Sequence, residues 1–168
     1  PKELYIRDAL RKLRHLNLLT NHDLTELGMI CSRLTGFEPE EAIALLLSVK
    51  LECSYEVSKI LAVIEASKSN IDNVFITPIE QIKNNDKLEE MKKKLEKKFL
   101  KGKKTFYSSY GDHLSLLNVY DKFKEKYGKR DDQKFSDWCY KHFINRGTLF
   151  KAIKAQRKIK GKLHSNSN

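Results

Sequence analysis

Hydrophobic residues recur at helical spacing along most of the chain, and this pattern predicts a mainly α fold. The first predicted helix runs from Leu4 to Leu19, and its apolar face holds Leu4, Leu10, Leu13 and Leu16. A polar turn follows, and the alternation of Leu24-Thr25-Glu26-Leu27-Gly28 predicts a short strand. A helix, a tight turn and a strand together favour a small winged-helix unit over residues 1–36.

The rest of the pattern predicts a helical bundle over residues 37–160. Pro39 opens a helix that is apolar on nearly every side, so we expect it to be central to the core. Ser54 is expected to cap the next helix. Phe75 is expected to anchor an ordered loop that closes at Pro78. A lysine-rich helix that begins near Leu88 is then predicted to end at Gly102.

Three further helices complete the predicted bundle. Asp112 is expected to cap the first of them and Thr148 the last. Trp138 and Cys139 are expected to face inward on the helix between them. Beyond Gly161 the chain is rich in serine and asparagine, which predicts a disordered tail over residues 161–168.

The net charge of +11 is concentrated in two segments. Residues 87–104 hold nine lysines against three glutamates, and residues 148–168 hold five lysines and one arginine with no acid. Such clusters attract a polyanion, although a lysine-rich helix face can equally be a solvated surface. The candidate nucleic-acid-binding residues lie on or beside the last helix: Arg146, Lys151, Lys154, Arg157 and Lys158.

No catalytic, metal-binding or nucleotide-binding centre is predicted. The pairs Gly102-Lys103, Gly128-Lys129 and Gly161-Lys162 lack the first glycine of a phosphate-binding loop, five positions earlier, and the serine or threonine that follows the lysine. Asp112 and His113 are adjacent residues that point in different directions, and no nearby serine or cysteine forms a nucleophile arrangement with them, so capping is favoured over catalysis. The three cysteines are too far apart for a metal or disulfide pattern, which favours a reducing compartment. No apolar run reaches the length of a membrane span, and a first residue of Pro1 indicates an excised piece.

Several blocks of sequence resemble the helicase-associated region of DEAH-box RNA helicases. The most specific are Gly111-Asp112-His113-Leu114 followed by Leu116-Leu117-Asn118-Val119-Tyr120, and Trp138-Cys139 with Phe143-Ile144-Asn145. Leu24-Thr25-Glu26-Leu27-Gly28, Cys53-Ser54-Tyr55-Glu56-Val57 and Val74-Phe75 with Pro78 also fit. The family's isoleucine-arginine-x-glutamine-leucine is replaced by Ala155-Gln156-Arg157-Lys158-Ile159, which departs from the pattern.

The resemblance implies a winged-helix portion followed by a ratchet-like domain, both without catalytic residues. It implies that the chain belongs to a parent ATP-dependent RNA helicase, forms part of its RNA channel and couples motor-lobe movement to RNA translocation. ATP and magnesium would bind the motor lobes of that parent chain. Single-stranded RNA, those motor lobes and a glycine-rich-patch activator protein are the expected partners, and mRNA processing in the nucleus is the favoured setting.

Two other classes of protein are compatible with the same residues. A stand-alone helical module could bind nucleic acid or protein, and a purely structural scaffold would leave the lysines without a partner. Sequence beyond the two ends would distinguish these classes, because a helicase requires motor motifs elsewhere in the parent chain.

Overall fold

The structure is a computed structural model that describes residues 2–21, 23–76, 86–129 and 131–165. In these ranges the fold is mainly α, as predicted. The β structure there consists of two isolated bridges, Leu19 with Leu24 and Phe75 with Ile144. The helices are α1 Glu3–His15, α2 Glu26–Arg33, α3 Pro39–Lys50, α4 Ser54–Ala66, α5 Asp86–Lys104, α6 Asp112–Gly128, α7 Asp132–Lys141 and α8 Arg146–Ser165. A 3₁₀ turn, Ile71–Val74, follows α4.

The chain folds into two compact units. Unit 1 takes the residues up to Ser58 together with those from Lys160 onward, and unit 2 takes Lys59–Ile159. The boundary therefore falls within α4 and α8, whereas the sequence places it near residue 36 because a change in pattern is visible there. The assignment of residues 1–36 to a winged helix stays a prediction.

Unit 1 has a small apolar core around Leu18, Cys31, Leu34 and Ala42. The predicted strand at residues 24–28 is wrong, because Thr25 caps α2 by accepting a hydrogen bond from the Gly28 amide at 2.9 Å. An alternation over only five residues is compatible with the start of a helix as well as with a strand. Here the capping hydrogen bond of Thr25 favours the helix. Leu24 keeps one bridge to Leu19.

Helix α3 begins at Pro39 as predicted, but it is not buried on every side. Ala42, Leu45 and Ser48 are buried, whereas Leu47 and Val49 are half exposed. Glu38 and Glu41 form a reciprocal capping box at its start. In α1 the apolar face is also only partly covered, since Leu13 and Leu16 pack against the core and Leu4 is 62% exposed.

Unit 2 is built on a core of interlocked aromatic rings. Phe75 is buried and contacts the rings of Phe99 and Phe106, so its predicted role as an anchor is confirmed, while Pro78 lies outside the described residues. The Phe123 ring contacts Phe135 and Phe150 edge-on at centroid distances of 5.2 Å. These contacts join the loop after α4 to α5, and α6 to α7 and α8.

Helix ends account for most of the remaining differences from the predictions. Helix α5 continues past Gly102 to Lys104, and α8 continues past Gly161 to Ser165, so residues 161–165 are helical where a disordered tail is predicted. Asp112 is the first residue of α6 and makes no capping hydrogen bond, because Gly111 holds the N-cap position at φ 122°. Asn145, not Thr148, caps α8, since its Oδ1 accepts the Thr148 amide at 3.2 Å.

Candidate nucleic-acid interface

Three of the five predicted binding residues line one shallow cleft. Lys151, Lys154 and Lys158 are three and four residues apart, so they project from one side of α8. The cleft has a volume of about 320 Å³ and is completed by the end of α4 and the turn after it: Glu65, Ala66 and Lys68, with Ala155 from α8. We call it the lysine cleft.

The electrostatics of the lysine cleft favour an anion. Four lysines and one glutamate line it, and among the residues that the structure describes no carboxylate pairs with Lys151, Lys154 or Lys158. Like charges that share a site repel one another, and an anion placed between them relieves that repulsion. Ala66 and Ala155 also line the cleft, and their short side chains leave room for a phosphodiester backbone beside the ammonium groups.

The other two predicted residues lie elsewhere. The Arg146 Nη1 donates to Ser136 Oγ at 3.1 Å, and the guanidinium lies 4.9 Å from the centre of the Phe135 ring. Arg146 therefore joins α8 to α7. Arg157 is exposed but does not line the lysine cleft, because it projects about 100° away from Lys158 around the helix axis.

Lys68 is a cleft residue that the sequence does not reveal. It lies in the turn that ends α4, where Lys68 and Ser69 both adopt positive φ and the Ser69 amide returns to the Ile64 carbonyl at 3.0 Å. This turn carries Lys68 toward α8, more than eighty positions further along the chain. The serine and asparagine content predicts a turn there but not its direction.

The motif residues of the family resemblance are mainly structural. Tyr120 is fully buried, and its hydroxyl bonds to Gln156 Oε1 at 2.7 Å, which fixes α6 against α8. Cys139 is buried, and its burial raises the pKa of the thiol to about 11, so it is an inert packing group. The Trp138 ring contacts Phe106 at 6.0 Å. Gly111 provides a positive φ, whereas Asp112, His113 and Leu114 are exposed.

A further feature of unit 2 is a partly buried histidine, His142. Desolvation lowers the pKa of His142, the positive charges of Lys141 and Lys126 lower it further, and a bond to the Gly102 backbone opposes them. The His142 Nδ1 is buried, and it has no hydrogen-bond partner among the residues that the structure describes. Within the described ranges, no three histidine, cysteine or acidic side chains meet as a metal-binding group, and none of the helices there is long and apolar enough to cross a bilayer.

Comparison with known proteins agrees with this picture. Residues 38–116 match the helicase-associated domain (HA2), ratchet-like. This match and the relatives below support a helicase-associated region of a DEAH-box RNA helicase, as the sequence motifs predict.

Two curated relatives match most of the chain. It is 30% identical over 151 residues to the ATP-dependent RNA helicase DHX33 of Mus musculus, which covers 86% of this chain and 18% of the relative. It is 29% identical over 164 residues to the ATP-dependent RNA helicase DHX33 of Homo sapiens, which covers 93% of this chain and 19% of the relative. The chain thus spans about a fifth of the length of these relatives.

Proposed function

We propose that this chain is a non-catalytic segment of an ATP-dependent RNA helicase, that it forms part of the RNA channel, and that it couples motor-lobe movement to RNA translocation. The match to a helicase-associated domain and the two helicase relatives support membership of such a parent enzyme. The lysine cleft supports direct contact with RNA, and it is the observation on which the proposal depends.

In this proposal the lysine cleft holds the phosphate backbone and leaves the bases unread. Ammonium groups on flexible stems suit phosphates of any sequence, which is what a translocating enzyme requires. Lys154 is central, because it lines the cleft and lies between Lys151 and Lys158 along α8. Lys151, Lys158 and Lys68 surround the same space.

The remaining parts of the proposal concern the parent chain. Its motor lobes would bind ATP and magnesium and would move against this segment during each cycle. A glycine-rich-patch activator protein is a further proposed partner, and the nucleus is the proposed location. The aromatic core of unit 2 provides a rigid support on which a phosphate-binding surface can be carried between motor states.

The test is the salt dependence of binding to single-stranded RNA. We expect reversal of Lys151, Lys154 and Lys158 to glutamate to weaken binding of a labelled oligouridylate strongly. Because each phosphate contact on a single strand contributes about 0.7 to the slope of log K against log salt, the slope should decrease by about 2. Fluorescence anisotropy at several salt concentrations measures both quantities.

A matched control separates local contact from net charge. Lys50, Lys93 and Lys97 are exposed lysines outside the lysine cleft, and reversing them changes the net charge of +11 by the same amount. We expect this variant to retain most of the affinity and most of the slope. Equal losses in the two variants would show that RNA responds only to net charge, and the proposed cleft would then be wrong.

A further inference from the structure

A second groove in unit 2 combines an apolar floor with unpaired positive charge. It has a volume of about 640 Å³ and lies between the second half of α5 and the end of α7. Leu95 and Phe143 form its floor. A volume of this size falls in the range of roughly 300–1,000 Å³ that accommodates a ligand of small-molecule size. We call it the tyrosine groove, and it shares no residue with the lysine cleft.

Three exposed lysines line the tyrosine groove: Lys98, Lys101 and Lys141. No aspartate or glutamate is among its lining residues. Other lysines of α5 do have partners, since Lys94 pairs with Glu90 at 3.1 Å and Lys103 with Asp72 at 2.8 Å. Among the described residues, the three groove lysines make no such pair, and their charge remains available to an anion.

Tyr140 lies beside these lysines with its side chain directed away from the core. It is 86% exposed, and in the described part of the chain its ring contacts no other aromatic ring. Tyr127, on the neighbouring helix α6, instead packs its ring against Phe135 and Phe150. An exposed aromatic ring next to several ammonium groups is the arrangement by which proteins hold single strands, because every base has a face that can stack.

We propose that the tyrosine groove binds one nucleotide of a single-stranded nucleic acid, with the base stacked on Tyr140 and the phosphate held by Lys98, Lys101 and Lys141. This inference rests on the proposed binding of single-stranded RNA and adds a second contact to it. An acidic peptide would also suit the lysines. The peptide is less favoured, because its apolar side chains could contact only Leu95 and Phe143 in the groove. A base, in contrast, can stack on the whole face of Tyr140.

The test compares Tyr140→Ala with Tyr110→Ala. Tyr110 is 88% exposed and lines neither the groove nor the cleft, so it is a control of the same residue type and exposure. The probe is an oligouridylate of about ten nucleotides, within the site sizes of single-strand-binding domains, with 2-aminopurine near its centre. We expect Tyr140→Ala to weaken binding roughly 5-fold to 100-fold and to remove the stacking quench of 2-aminopurine.

The slope of log K against log salt should be unchanged in Tyr140→Ala, because stacking releases no counterion. Reversal of the lysine cleft should do the opposite and reduce the slope while leaving part of the quench. If Tyr140→Ala and Tyr110→Ala bind alike and quench alike, the groove proposal is wrong even where the cleft proposal holds. A second experiment uses a peptide of alternating glutamate and leucine, whose binding is followed by the fluorescence of the single tryptophan, Trp138. The groove proposal is also wrong if this peptide saturates the groove without displacing the RNA.

Discussion

Gly28 is the residue at which the motif of unit 1 has its clearest physical reason. A Cβ at this position would lie 2.0 Å from the Leu18 carbonyl oxygen, which itself accepts the Thr25 amide at 3.1 Å. The leucine-threonine-x-leucine-glycine block therefore encodes a capping threonine followed by a close approach of backbone to helix. The sequence predicts that the block matters, but its alternation points to the wrong element.

We predict that Gly28→Ala destabilises unit 1. Alanine is better than glycine inside a helix by about 1 kcal/mol, but forcing a methyl group against a fixed carbonyl costs about 1–3 kcal/mol or more. The difference between these two effects gives a net loss of up to about 2 kcal/mol, which urea unfolding followed by circular dichroism measures. Gly161→Ala is the control, because nothing lies within 4 Å of a Cβ there and the helix should gain a few tenths of a kcal/mol or more. A Gly28→Ala protein as stable as the parent would contradict the close approach.

His142 makes the stability of the fold depend on pH. Burial lowers the pKa of its imidazole below the ordinary 6.5, and the charges of Lys141 and Lys126 add to this effect. The unfolded chain then binds a proton more readily than the folded chain. Stability from this residue is therefore complete above about pH 6.5 and decreases as the pH falls toward the folded-state pKa.

We predict that His142→Phe reduces the loss of stability between neutral and mildly acidic pH. His113→Gln is the control, since His113 is exposed at the start of α6. The carboxylates of Glu40, Glu125 and Asp131 have lowered pKa values and lose their contribution only at more acidic pH, so the two effects separate. Urea titrations at a series of pH values measure the difference. Identical pH profiles for the parent and His142→Phe would contradict it.

At the scale of elements, the sequence predicts the helices better than their ends. The start of α3 at Pro39 and the anchoring role of Phe75 follow from backbone restriction and apolar size, which are local properties. The continuation of α5 through Gly102 is not local. Gly102 packs beside the end of α7, where a Cβ would make an ordinary contact at 3.4 Å with the His142 Cα, and only the three-dimensional fold shows this neighbour. The convergence of Lys68 on α8 is hidden for the same reason.

Helices α4 and α6 are linked by an ion pair that the charge pattern does not predict. Lys59 is buried, and its Nζ lies 2.8 Å from Asp121 Oδ1, whose side chain is half exposed. We predict that Asp121→Asn destabilises unit 2 by about 1–3 kcal/mol, because the buried ammonium keeps its desolvation cost while losing its counter-charge. This is less than for a fully buried pair, since water reaches Asp121. Calorimetric or urea unfolding measures the change.

The control for the Lys59–Asp121 pair is an exposed pair of the same type. Glu90→Gln removes the partner of Lys94 on α5, where both side chains are largely exposed, and should change stability by less than about 0.5 kcal/mol. Adding Lys59→Met to Asp121→Asn should recover much of the loss, because no buried charge then remains. If both single variants behave alike, the pair contributes as little as a surface contact.

At the scale of the whole molecule, the charge pattern and the family resemblance both favour the proposed binding of RNA, but neither identifies the residues that come together. The concentration of +11 in two segments indicates a polyanion partner from sequence alone. Which lysines converge depends on two helices, α4 and α8, that are distant in sequence, so only the three-dimensional fold reveals the cleft. Three of the five candidate residues meet there, Arg146 is used in packing, and Arg157 lies on another side of α8.

In the proposed function, ATP and magnesium bind the motor lobes of the parent chain and not this segment. We therefore predict that this chain does not hydrolyse ATP. We also predict that ATP with magnesium changes its RNA affinity no more than salt of the same ionic strength does. The three glycine-lysine pairs lie within α5 and α8 and at the end of α6. Amides inside a helix already donate to carbonyls one turn earlier, so they cannot form the open cradle that a triphosphate needs. A phosphate-release assay and RNA anisotropy with and without ATP measure both effects, with the whole parent helicase as the positive control. Turnover by the isolated chain that is lost in Lys103→Ala, Lys129→Ala or Lys162→Ala would contradict the proposed dependence on the motor lobes.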